Sequence, residues 1–325
     1  QIGRLLANME NEGVLENLVI VLVSDHGHSP TDRVRPIRLI DTLHRLTGAA
    51  VTGRIDTFQQ SAFQRAELFE PWEMIVSHSG DRQAFVYVRD LNEDGSPRPW
   101  RDRPPFERLV NYPTPDGAEV DLPQALSHMD GVDIVAARLR PGAVLVYGRE
   151  GIGRIDRRGK RGAYRYAWRT ITGNDPLHYD AHEPACGVID GEYHDGLAWL
   201  RATYRSDYPD AVVGIADLFD GARTGDVILF AEPGRQFGDR DFSGHGGLNP
   251  DDMLVPMLIA GPGIRHGTLE TARTVDLFPT VLELLGYADR LQALPPRDGR
   301  SLAGDCHPGD CHTKQSSNVS TNSTK

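Results

Sequence analysis

Apolar residues along the chain fall into two kinds of pattern. At the start, Ile2, Leu5, Leu6 and Met9 recur at helical spacing, and Gly13 stands where a helix would stop. The unbroken run Leu18–Val23 follows, apolar on every position and rich in β-branched residues. That is the pattern of a strand buried on both faces of a parallel sheet. It ends at the polar turn Ser24-Asp25-His26-Gly27. A helix, an apolar strand and a polar turn at the strand's carboxyl end make the arrangement of an α/β ligand site. Further on, the pattern predicts a helix around Ile37–Leu46 and a strand at Ala84–Val88. Asn92–Pro115, rich in Pro, Arg and Asp, reads as loop. Strands are predicted at Val132–Ala136 and Ala143–Tyr147 with Pro141-Gly142 as the turn between them, then an exposed hairpin over Gly151–Tyr166. The α/β pattern returns with a helix at Ala211–Phe219, buried strands at Asp226–Ala231 and Val255–Ala260, and the glycine-rich loop Ser243-Gly244-His245-Gly246-Gly247 between them. Val275–Leu285 is predicted as an amphipathic helix with Leu277, Phe278, Val281, Leu282 and Leu285 on its apolar face. From Gly304 the composition collapses to Ser, Thr, Asn and Lys, so 304–325 is expected to be a disordered tail.

These elements predict an α/β fold with a mixed sheet sandwiched by helices. Residues 1–303 form the folded part, with an inserted or capping region over about 80–210. Composition changes this picture in one respect. The formal charge of −11 argues against a nucleic-acid polymer as partner, yet bound cations would let such a chain hold a small anionic ester. No apolar run reaches the roughly 18 residues of a membrane span. The three cysteines, Cys186, Cys306 and Cys311, are too few for a disulfide framework. Neither compartment nor oligomeric state is set by these features.

Asp25 and His26 offer an oxygen and a nitrogen donor at a strand end, the ligand types that suit zinc. A hydrogen-bonded Asp-His turn has the same local sequence. His245 between glycines is an imidazole held where bulk is not tolerated, or a flexible loop with an incidental histidine. Ser24 and His28 flank the first pair and could orient it. His178, Asp180 and His182, at spacing two, could hold an accessory metal, though a polar loop explains them as well. Cys306-His307 and Cys311-His312 could hold zinc but lie in the tail. Arg149–Arg161 is locally basic, either a solvated hairpin face or a clamp for an anionic group.

Taken in order, Ser24–Gly27, Gly244–Gly247, Leu254–Gly263, Thr274–Gly286 and Asp298–Leu302 resemble the alkaline phosphatase superfamily, nearest to its nucleotide pyrophosphatase/phosphodiesterase and sulfatase-like branches. The likeness covers residues 1–30 and 211–302 well. It implies two divalent ions, usually zinc, with Asp25 and His26 on one and His245 on the other. The implied reaction is in-line attack by an activated Ser or Thr on a phosphate ester or phosphodiester, followed by hydrolysis of the covalent intermediate. Sulfate ester hydrolysis is the enzymatic alternative, and a non-catalytic remnant or binding module is the alternative of another class. The family's nucleophile, its first metal-binding Asp and an Asp-x-x-x-His pair precede the helix that begins here at Gln1. The chain is therefore expected to hold an incomplete metal site and to lack activity alone.

Overall fold

The computed structural model describes residues 1–306 apart from 33, 54–67, 240 and 263, so the predicted tail from residue 307 on, with His307 and the Cys311-His312 pair, lies outside the described residues, while its first residues, 304–306, belong to the short helix Ala303–Cys306. Two compact units emerge, Ser24–Val255 and a smaller one made of Gln1–Val23 with the chain from Pro256 onward.

The larger unit is built on a nine-stranded sheet. Its strands are β1 (Val51–Thr52), β2 (Met74–Ser79), β3 (Gln83–Val88), β4 (Val132–Arg140), β5 (Ala143–Tyr147), β6 (Gly151–Arg158), β7 (Arg165–Gly173), β8 (His194–Asp195) and β9 (Val227–Ala231), in the spatial order β8-β7-β6-β5-β4-β9-β3-β2-β1. Only β1 and β2 run parallel; the remaining neighbours are antiparallel. The sheet is mixed, as the sequence predicts.

Alternation along the central strands fills two cores. Ile134 and Ala136 of β4 and Ile228 and Phe230 of β9 join a cluster with Trp199 of α3 (Gly196–Thr203) and Val212, Ile215 and Ala216 of α4 (Ala211–Leu218). Their neighbours Val135, Ala137, Val227 and Leu229 point the other way, onto Leu39 and Leu43 of α1 (Leu39–Thr47) and Leu122 and Leu126 of α2 (Leu122–Ser127). The sheet is thus covered by helices on both faces. β9, wholly buried, reads as a continuous apolar run for that reason. The Gly151–Tyr166 hairpin forms as β6 and β7, but it is not simply exposed. Ile155, Tyr166 and Trp168 enter the first core, since these strands continue the sheet rather than leave it. Residues 80–210 thereby supply six of the nine strands, β3 to β8.

One buried carboxylate sets a pH dependence. Asp226, 8% exposed, accepts the Val88 N–H at 2.9 Å, and burial pushes its carboxyl up to about 6. Its folded pKa lies above the unfolded value, so its contribution favours the native state most at about pH 4 and is lost as pH rises through about 6. Asp226→Asn keeps an acceptor for Val88 without the charge. It is expected to raise stability at pH 7.5 by up to about 3 kcal/mol and to change little at pH 4. Denaturant midpoints at the two pH values measure this; an equal shift at both would contradict it.

In the smaller unit the first helix spans Ile2–Asn11, and Gly13 beyond it takes φ +67. The predicted strands shorten to Ile20–Val23 and Met257–Ala260, which pair antiparallel with each other as a two-stranded sheet. Burial on both faces of a parallel sheet is therefore not what the apolar run obtains. Among the described residues it has a single neighbouring strand, and Leu22 and Leu258 remain 43% and 57% exposed. The helix Leu277–Leu284 forms, preceded by a 3-10 turn at Thr274–Asp276, but Phe278, Val281 and Leu285 are exposed while Pro279 and Thr280 are buried. Polar ties choose that face. Thr280 donates to Asp276 O and accepts from Leu302 N, and the Asp276 carboxylate accepts the Arg273 and Arg300 amides. Among the described residues no helix is long and apolar enough to cross a membrane.

Candidate metal centre

Two loops meet at the candidate site. Ser29–Pro30 and Ser243–Gly244 form a short antiparallel ladder, with Gly244 opposite Ser29. This ladder brings the residues just before Ser29 against those just after Gly244, although the sequence separates them by over two hundred positions. The rings of His26 and His245 stack with centroids 3.6 Å apart, and His28 lies 5.7 Å from His245.

Local bonds fix the Asp25–His28 turn. Ser24 Oγ donates to His26 O at 2.8 Å, and His26 N–H donates to Asp25 Oδ1 at 3.2 Å. His26 Nδ1 lies 2.7 Å from Gly27 O, a contact that requires Nδ1 to carry the proton. Nε2 then keeps its lone pair, 3.6 Å from Asp25 Oδ2. A hydrogen-bonded Nδ1 with a free Nε2 is how a metal-binding imidazole is prepared. The Asp25 side chain is 86% exposed and open to a ligand. His28 Nε2 pairs with Ser243 Oγ at 2.8 Å, so His28 ties one loop to the other.

His245 is positioned by a turn that the sequence did not single out. β2 and β3 are joined through Gly80-Asp81-Arg82. His245 N–H donates to Gly80 O at 2.6 Å, and Arg82 N–H donates to His245 O at 3.2 Å. Asp81 in the same turn accepts His78 Nδ1 at 2.7 Å, which sets a second His–Asp pair beside His245. Burial, then the neighbouring His26 and His28, hold the His245 pKa below the ordinary imidazole value. The ring is therefore neutral near pH 7, the form that donates to a metal.

Asp252, on the short helix α5 (Pro250–Met253), joins these pieces. It is 3% exposed and receives Arg82 Nη1, Ser29 Oγ at 2.5 Å and Gly247 N–H at 2.6 Å, while its own carbonyl accepts Gly27 N–H at 2.8 Å. Two glycines of the loop have physical reasons. Gly246 takes φ +95, and a Cβ on Gly247 would stand 2.5 Å from the Asp252 carboxylate.

The structure thus brings Asp25, His26 and His245 together, with Ser24 bonded to the His26 carbonyl and His28 to Ser243 beside them. It adds His78, at the end of β2, Asp81 and Arg82 in the turn that follows, and Asp252 on α5. Among the described residues no group of three or more His, Cys, Asp or Glu forms a complete set around one ion. His178 turns instead to Asp207 at 3.3 Å, and the buried His182 Nε2 has no partner among the described residues. Asp175 organises that loop by accepting the Leu177, Tyr179 and Asp180 amides.

The model of the type I phosphodiesterase / nucleotide pyrophosphatase family matches residues 1–163, half of the chain. The matched span contains Asp25, His26 and His28; His245 lies beyond it. No curated protein and no solved structure matches the chain.

Proposed function

This chain belongs to the type I phosphodiesterase / nucleotide pyrophosphatase family, within the alkaline phosphatase superfamily, and we propose that it serves metal-dependent hydrolysis of phosphate esters or phosphodiesters. The observation that supports metal dependence is the convergence of Asp25, His26 and His245 from two distant loops, with the imidazoles stacked at 3.6 Å. Asp25 and His26 would hold one divalent ion and His245 a second; nitrogen and carboxylate donors favour zinc. Bound there, two cations would supply the positive charge that phosphoryl oxygens need in a chain of net charge −11.

The chain's own residues do the preparing. Gly27 O fixes the tautomer of His26, and the Gly80–Arg82 turn fixes His245. The hydroxyls at the cluster are engaged: Ser24 with His26 O, Ser29 with Asp252 and Ser243 with His28. The family favours phosphate over sulfate esters.

Zinc titration of the chelator-treated chain tests this. Saturable binding is expected, weakened roughly tenfold or more in His26→Ala and His245→Ala, as for loss of one ligand. No saturable binding, or binding that both variants keep, would sink the metal reading and favour the non-catalytic remnant. Chromogenic phosphodiester and sulfate ester are then supplied with zinc. Turnover of the phosphodiester would show the site to be complete within the chain, and faster turnover of the sulfate would move the family assignment toward sulfatase-like chemistry.

A further inference from the structure

Where β4 turns into β5, a cavity of about 250 Å³ is lined by Arg103, Arg138, Arg140 and Arg157 together with Phe219, Asp220 and Gly221. It lies at the other end of the sheet from the histidines. In the β9–β4 register Val227 pairs with Ala137 at the cavity end and Ala231 with Val132 at the far end, where Arg82 reaches the Ala231 carbonyl.

The four guanidiniums are not equally answered. Arg157 is held by Asp217 at 2.9 Å and by Asp220. Arg140 stands 3.5 Å from Asp156, which is shared with Arg154 and Arg169. Arg103 and Arg138 have no carboxylate in contact among the described residues. Arg103 Nη2 donates to Gly221 O at 2.7 Å and Arg138 Nη2 to Phe219 O, and the buried Nη1 of Arg103 has no partner among the described residues. Capping the carbonyls after α4 explains one N–H on each, and a guanidinium carries several more. Burial, then the charge of Arg103, depress the Arg138 pKa, the mark of like charges held close without full compensation. Asp226 and Asp220 offset part of this at Arg138, and both arginines act in turn on the buried Asp226 carboxyl.

We propose that this arginine cavity binds a phosphate group, free or terminal on a small molecule. Its volume lies below the roughly 300–1,000 Å³ of drug-sized sites, which suits a small ion. Guanidiniums arrive from the Arg103 loop, from β4 and from β6. A tetrahedral dianion accepts from all three directions, whereas a planar carboxylate is satisfied by one fork. The proposal is independent of the hydrolase reading.

Inorganic phosphate and phenyl phosphate are titrated calorimetrically into the full chain with a chelator present, which keeps metal-borne anion sites out of the measurement. Saturable binding of at least one probe at ~1 mM or below is expected. Arg103→Gln and Arg138→Gln should each weaken it roughly tenfold, while His245→Ala leaves it unchanged. Arg103→Gln keeps a donor for Gly221, so its circular dichroism should match the parent chain and its loss of binding is read on a folded protein. Binding of neither probe, binding retained by both arginine variants, or binding lost only in His245→Ala overturns the proposal.

Discussion

Asp252→Ala is expected to destabilise the larger unit by about 3–5 kcal/mol, because it leaves Arg82 buried with no opposing charge. Arg82 is 0% exposed and Asp252 3%, so water cannot replace the lost partner. Two further donors, Ser29 Oγ and Gly247 N–H, are orphaned by the same change. Such a loss is a large part of the roughly 5–15 kcal/mol that holds a domain folded. The effect should reach the site as well. Ser29 is part of the ladder that joins the two loops, and Gly247 follows His245 by two positions, so His26 and His245 should separate. Urea unfolding with zinc titration measures both. The double substitution Arg82→Met with Asp252→Leu, which leaves no charge unpaired, should recover part of the stability but not the zinc affinity. An Asp252→Ala chain within about 1 kcal/mol of the parent would refute this account.

Gly27→Ala is the second large effect. A Cβ at Gly27 would stand 1.8 Å from Asp251 O, 2.8 Å from Asp251 C and 2.9 Å from Asp252 Cα. These are backbone atoms, so no side-chain rotation relieves the overlap. Either the Asp25–His28 turn or α5 must move, and the Gly27 N–H to Asp252 O bond stretches or breaks with it. Overpacking of this kind costs about 1–3 kcal/mol. The larger consequence is for His26, whose tautomer depends on Gly27 O; zinc affinity should fall roughly tenfold or more. Gly187→Ala, where a Cβ meets nothing within 4 Å, is the matched control and should be neutral in both measurements. Equal behaviour of the two variants would remove the close approach at Gly27 from the explanation.

Much of the fold was legible before any coordinates. Strands such as Val132–Arg140 and Val227–Ala231 declare themselves because residues packed in the sheet must be apolar on alternate or on all positions. The glycines around His245 marked a place where backbone comes close, and Asp25-His26 marked a pair of donors. What the pattern left open was whose face a residue meets. Leu18–Val23 has the composition of a central strand, yet its burial is set by how many strands flank it, and composition carries no count of neighbours. Phe278, Val281 and Leu285 form an apolar stripe at helical spacing, but the buried side is chosen by hydrogen bonds of Thr280 and Asp276 to distant residues.

The candidate site divides along the same line. Sequence alone singled out Asp25, His26 and His245 as the candidate donors, through residue chemistry and motif order, and pointed to bound cations as the means by which an acidic chain would hold an anionic ester. Only the tertiary structure decided that the two loops meet, because a two-residue ladder and a buried Arg82–Asp252 pair act between positions remote in the chain. The same holds for His78 and Asp81, and for the arginines that converge on one cavity from a loop and two strands. Local patterns record what a residue prefers to touch; long-range register settles which residue is there to be touched.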